Sequence, residues 1–244
     1  MTRRLLWVLL PLLLVACSED SSTVQPPVPL TPDEQVVADA RAIRDALETY
    51  AAAHGGTYGE YDIDLSEIGI TGLTNPYTGK CNPAGAVALS SGEIGILGYN
   101  SCDGTVLGYR IIGYRKNDPP IVLENLEHVP VDVRYLTDVT VANALLVRDA
   151  ALRFAAANGG VFPTDVAGDT DPNGKYLMDY LPGGELLINP ADAVQSNPMD
   201  GVGLAIGGGV GYVGSDSGGG FMDSYLIEAY SCDGSIMLTL TNIE

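Results

Sequence analysis

The strongest constraint on this chain is that it contains one stretch of text twice. Arg44-Asp45 returns as Arg148-Asp149, Tyr50 as Phe154, and Tyr58 as Phe162. Ala51-Ala52-Ala53-His54-Gly55-Gly56 returns as Ala155-Ala156-Ala157-Asn158-Gly159-Gly160. The offset holds constant through these segments, which chance rarely produces, so the chain is built from two copies of one unit. Further on the register drifts through an insertion, but the order is kept. Asn75-Pro76 matches Asn189-Pro190, and Tyr109–Tyr114 matches Tyr225–Tyr230. Unit one is placed at 33–128 and unit two at 136–244, with 129–135 as the linker between them.

Each unit opens with a helical pattern. Thr31 is a good N-cap, Pro32 suits the first helical position, and Asp33 and Glu34 complement the positive helix end. Val36, Ala40, Ile43, Leu47, Tyr50 and Ala51 share one helical face, and the pattern stops at His54-Gly55-Gly56. Short β-patterned runs follow a Gly/Asn/Pro-rich loop. They fall at 93–99, 107–114 and 121–126 in unit one, and at 202–206, 225–230 and 236–240 in unit two. A helix followed by strands predicts an α+β fold in which an antiparallel sheet covers each helix.

The N-terminus reads as an export signal. Arg3 and Arg4 precede an apolar run from Leu5 to Val15, too short to remain as a membrane span. The run closes on Leu14-Val15-Ala16-Cys17, which resembles the lipobox of bacterial lipoproteins. That resemblance implies a signal peptide over 1–16 and a diacylglycerol on Cys17. The segment 17–32, polar and Pro-rich, is then a lipidated tether. Ser18 after the cysteine implies an outer-membrane lipoprotein, on the periplasmic or surface face.

The order of helix, "YAAAHGGTY", "NPYTG", "GEIGILGY" and "YRIIGY" resembles the periplasmic heads of type IV pilins, and most closely the major pseudopilin of type II secretion. The resemblance implies two tandem pilin-like heads, each a long N-terminal helix packed on a small antiparallel sheet. It implies pseudopilins, pilins or secretion-channel proteins as partners. The hydrophobic polymerising helix of a pilin has no match, so the chain is not expected to form filaments as a pilin does.

Composition narrows the chemistry. The formal charge of −19 becomes −21 once Arg3 and Arg4 are removed, which repels phosphate backbones and argues against nucleic-acid binding. Beyond Cys17 the cysteines are Cys81, Cys102 and Cys232. An exported chain permits disulfides, and Cys81 and Cys102, in the same half, are the expected pair. Cys232 is then a buried thiol or half of an intermolecular bridge. Asp169-Thr170-Asp171-Pro172-Asn173-Gly174 opens like an EF-hand loop, with the Lys175 carbonyl at the next ligand position and Asp179 near the end. Tyr180 stands where an EF-hand has Glu, so the alternatives are a calcium site and a solvated turn. Asp165, Asp216 and Asp223 are weaker ligand candidates.

The glycine triplets at 207–209 and 218–220 lack the flanking elements of a phosphate loop. With only His54 and His128 for a base, and His54 reading as a helix cap, no catalytic constellation emerges. Two functions are expected from these observations. One is a non-enzymatic, membrane-anchored component of a type II secretion or type IV pilus-like machine. The other is a stand-alone adhesin or ligand-binding lipoprotein with calcium-stabilised loops.

Overall fold

A computed structural model describes residues 29–60, 63–80, 88, 90–216 and 221–242. Helix α1 spans Pro32–Ala53 and begins where its capping residues place it. The Thr31 hydroxyl accepts from Glu34 N, while the Glu34 carboxylate accepts from Thr31 N at 2.8 Å, a reciprocal capping box. Asp33 fastens this helix end to the rest of the unit by accepting from Lys116 N at 2.8 Å and from the Tyr77 hydroxyl. At the other end Gly56 N donates to Ala51 O at 2.8 Å, with Gly55 and Gly56 both at positive φ. The second unit repeats that ending bond for bond: Gly160 N donates to Ala155 O at 2.8 Å.

Strands β1 (Ile94–Asn100), β2 (Val106–Gly113) and β3 (Ile121–Asn125) form an antiparallel sheet in that order. One face carries Ile94, Ile96, Tyr109 and Ile111 onto the α1 stripe of Val36, Ala40, Ile43, Leu47 and Ala51. The backbones approach closely there, since a side chain at Gly113 would meet Val36 Cγ1 at 2.7 Å. Glu48 on α1 ties the layers by accepting from the Tyr109 hydroxyl at 2.7 Å and from Asn125 Nδ2 at 3.0 Å.

The opposite face of this sheet is not solvent. Leu97 and Tyr99 point into a second core built around α2, which spans Val131–Ala157 and is about 40 Å long at 1.5 Å per residue. Asp138 of α2 accepts from the Tyr99 hydroxyl at 2.7 Å and from Arg110 Nη1 at 2.8 Å. Arg110 also pairs with Glu124 of β3 at 2.9 Å, and its guanidinium lies 5.5 Å from the Tyr99 ring centre. Burial, and then the bond to Asp138, push the Tyr99 phenol well above its ordinary range. The remainder of α2 packs on a second sheet, in the order β6 (Met199–Asp200), β7 (Val210–Ser215), β8 (Ser224–Tyr230) and β9 (Ile236–Thr241). In that sheet β6 and β7 run parallel and the rest antiparallel. A two-stranded ribbon, β4 (Leu187–Ile188) with β5 (Gln195–Asn197), makes a third small sheet.

Three expectations are corrected. Two tandem pilin-like heads, each an α+β unit of one long helix on its own antiparallel sheet, do not form. The described residues hold two α-helices and three small sheets, and one core runs from the first sheet through α2 into the second. The segment 129–135 is not a linker either: Val129 is buried and α2 starts at Val131. Finally, 202–206 is not a strand. Ala205 sits at φ 50°, which breaks extension, and the strand lies at Val210–Ser215.

A shared core predicts one cooperative unfolding transition in calorimetry, where two separable heads would give two. Asp138→Ala leaves the buried Tyr99 hydroxyl without its acceptor and should cost about 1–3 kcal/mol in urea unfolding. A loss within error of zero would remove Asp138 as the tie between the units.

Candidate functional site

The Cys81–Cys102 pairing is corrected first. Cys102 is bonded to Cys232, with Cα atoms 4.8 Å apart across a sequence separation of 130. Cys81 and Cys17 lie outside the described residues. Each bridged cysteine sits in a Ser-Cys-Asp-Gly turn, one joining β1 to β2 and the other joining β8 to β9. The two turns have the same bonds. Gly104 N donates to Ser101 O at 2.9 Å, and Gly234 N to Ser231 O at 3.0 Å. Ser101 N donates to Thr105 O and Ser231 N to Ser235 O, both at 2.9 Å. Gly104 and Gly234 hold φ near 88° and 82°, which closes a tight hairpin that other residues strain to adopt. The repeated tetrapeptide was the available signal for this pairing. It stands in different positions of the two units, so a search in repeat register misses it.

The residues proposed for calcium are brought near one another, but their oxygens are engaged by the protein. Asp171 accepts from Asn173 N at 2.9 Å, Lys175 N at 2.8 Å and the Tyr180 hydroxyl at 2.7 Å. Asp169 accepts from Thr164 N, and Asp179 from Tyr176 N, both at 2.7 Å. Asn173 Nδ2 donates to Asp171 at 3.1 Å, so the amide faces inward as a donor. Asp171 N donates to Lys175 O at 2.9 Å, and Gly174 takes φ 77°. Asp-Pro-Asn-Gly thus forms the same kind of tight turn as the two cysteine turns. Among the described residues no group of three His, Cys, Asp or Glu side chains is arranged to hold a metal.

A groove lies beside the C-terminal half of α1. One hollow, about 580 Å³, has Ala46, Thr49, Tyr50 and Ala53 on the helix side and Glu67, Ile68 and Gly69 opposite. An adjoining hollow of about 810 Å³ shares Tyr50 and Glu67 and adds His54, Glu60 and Asp64. His54 caps α1, as its position after the helical run predicts. Its ring stacks on Tyr50 with centroids 3.8 Å apart. His54 Nδ1 lies 2.8 Å from Tyr50 O, and a carbonyl only accepts, so Nδ1 carries the proton. Glu60, Asp64 and Glu67 are all exposed; Asp64 is engaged by its own loop, accepting from Ser66 N at 2.7 Å. No sequence motif marks this groove.

No family model matches the sequence, and searches of curated proteins and of solved structures return no match. Among the described residues no helix is long and apolar enough to cross a membrane.

Peptide mapping without reduction should recover Cys102 joined to Cys232; a Cys81–Cys102 peptide would refute this pairing. Closing a loop of 130 residues restricts the unfolded chain, so replacing both cysteines by serine should cost up to about 5 kcal/mol. The Asp171 carboxyl is held at about 2, below its ordinary 3.8, by the Tyr180 hydroxyl first and the Lys175 amide next. A depressed carboxyl stabilises the fold above its ordinary value, and that stabilisation disappears as pH falls through the folded value. Asp171→Asn should therefore melt below wild type at pH 5, with the gap closing between about pH 4 and pH 2. A constant gap across that range would show that the charge at Asp171 contributes nothing.

Proposed function

We propose that the chain is an exported lipoprotein of the bacterial envelope that acts by binding rather than by catalysis, held to the membrane through lipid on Cys17. The observation that carries this reading is the Cys102–Cys232 bridge, because a bond between distant segments persists in an oxidising compartment and is rare in a reducing one. It agrees with the charged, apolar and Leu-Val-Ala-Cys segments at the N-terminus. The bridge, Asp138 and the common core also make the two units a single presenting surface. A rigid body on a polar, Pro-rich tether suits a binding role, since no ordering of the units is needed on contact.

A stand-alone binding lipoprotein is favoured over an accessory of a type II secretion or type IV pilus-like machine. The accessory reading drew on the resemblance to pilin heads, and the two α-helices and three small sheets of the described residues do not reproduce a pair of such heads.

Replacing the anchor tests this directly. Cys17→Ala should move the protein from the membrane fraction to the soluble fraction, and retention after a salt wash would sink the lipoprotein assignment. Cross-linking from native membranes then separates the two roles. Recovery of pseudopilins, pilins or secretion-channel proteins only with the lipidated form would reinstate the accessory reading.

A further inference from the structure

The two units treat the same helix face differently. Ala46, Thr49, Tyr50 and Ala53 of α1 correspond to Ala150, Arg153, Phe154 and Ala157 of α2. In the second unit the segment 163–188, longer than 59–74 of the first, turns back over this face. Its 3-10 turn Leu177–Tyr180 lies on α2. The Tyr180 ring meets Phe154 edge-on at 5.9 Å, Arg153 Nη2 donates to Tyr180 O at 2.5 Å, and Lys175 Nζ rests 5.6 Å from the Tyr180 ring. Ala150 and Phe154 are both fully buried, Phe154 in part by this Tyr180 ring. In the first unit the equivalent Ala46 and Tyr50 are only half-buried, and they line the open groove.

The geometry points to a peptide-docking groove on α1, whose occupant is a short segment presenting an aromatic side chain flanked by lysine or arginine. This inference rests on the reading of the chain as a binding protein. The aromatic requirement comes from the second unit, which fills its own copy of this site with Tyr180. The basic requirement comes from charge. Glu67 borders both hollows and Glu60 borders the larger. Neither carboxylate makes a hydrogen bond or ion pair with another described residue. The stacked Tyr50 and His54 rings supply a flat platform between them, on which an aromatic side chain packs and a cation is attracted. Asp45, also on the rim, is already paired with Arg44 at 2.6 Å and contributes less. Electrostatic complementarity of this kind supplies selectivity for basic over acidic segments.

The test uses the full-length protein, kept in detergent, titrated by calorimetry in about 0.15 M salt to screen long-range attraction. The probe is the acetylated, amidated peptide 175–181 carrying Met178→Lys and Asp179→Lys. A matched peptide with glutamate at 175, 178 and 179 is the control. The basic peptide should bind and the acidic one should not. Glu60→Gln with Glu67→Gln should weaken binding at least about tenfold, and Tyr50→Ala comparably. Asp132→Asn with Glu185→Gln makes the same change in net charge away from the groove and should leave binding unaltered. Equal weakening by that pair would reduce the effect to net charge and overturn the proposal, as would absence of binding by the basic peptide. The carboxamide variants are surface changes that leave the fold intact, so they decide the matter even if Tyr50→Ala unfolds. The titration needs neither export nor anchoring. A failed Cys17→Ala fractionation therefore leaves the groove standing, and a failed titration leaves the anchor standing.

Discussion

Most of the structure depends on α2 being packed from two sides. An ordinary surface helix buries one stripe and turns the rest to water. In α2 the buried set includes Val133, Thr137, Thr140, Val141, Asn143, Ala144, Val147, Ala150, Ala151, Phe154 and Ala155, which covers much more than one stripe. Small residues at 144, 150, 151 and 155 let backbone and strands come close. Two of its buried polar groups have partners in the fold: Thr140 Oγ1 donates to Leu136 O at 2.7 Å, and Asn143 Nδ2 to Ile188 O at 2.9 Å.

With α2 shared, the disulfide has a defined task. Its two cysteines lie in hairpin turns of different sheets, and the chain between them includes the whole of α2. The cross-link therefore acts mainly against the unfolded chain, by shortening the loop that must be ordered, while the α2 core holds the units in the folded state. These contributions are separate in kind. One is entropic and set by sequence separation, and the other comes from apolar burial around Leu97, Tyr99, Val129 and Val147.

The local elements were legible because local rules govern them. Thr31 to Glu34 placed the start of α1, and the double glycines placed the ends of both helices. The match of Asn75 with Asn189 holds in full atomic detail: Asn75 Nδ2 donates to Ser91 O at 3.0 Å and Asn189 Nδ2 to Gly207 O at 3.2 Å. The joining of the units was not read, since a repeat reports that two copies exist and not how they pack. A signal was nonetheless present in β1. Its near-continuous apolar text, with Ile94, Ile96, Leu97 and Tyr99 all buried, is that of a strand covered on both faces rather than one. The calcium-like loop was ambiguous for a different reason: alternating Asp and Asn with Gly suit a cation and a tight turn equally. Backbone N–H groups took the carboxylates, and backbone placement is what single-sequence reasoning resolves least.

The groove is where the copies diverge, and its location along α1 has a consequence for how the protein would work on a membrane. The chain enters α1 at Pro32, and Asp33 pins that end through Lys116 N and Tyr77. Tyr50 and His54 lie at the other end, Tyr50 about 25 Å and His54 about 32 Å farther along the helix axis from Asp33 at 1.5 Å per residue. With the anchor proposed at Cys17, the tether attaches at one end of α1 and the groove opens at the other. A docking site at the tether end would compete with the lipid surface for space and would hold its acidic rim, Glu60 and Glu67, against anionic headgroups. Placed at the far end, the same rim is separated from that attachment by one continuous helix, Pro32–Ala53, which Asp33 pins at its N-terminus.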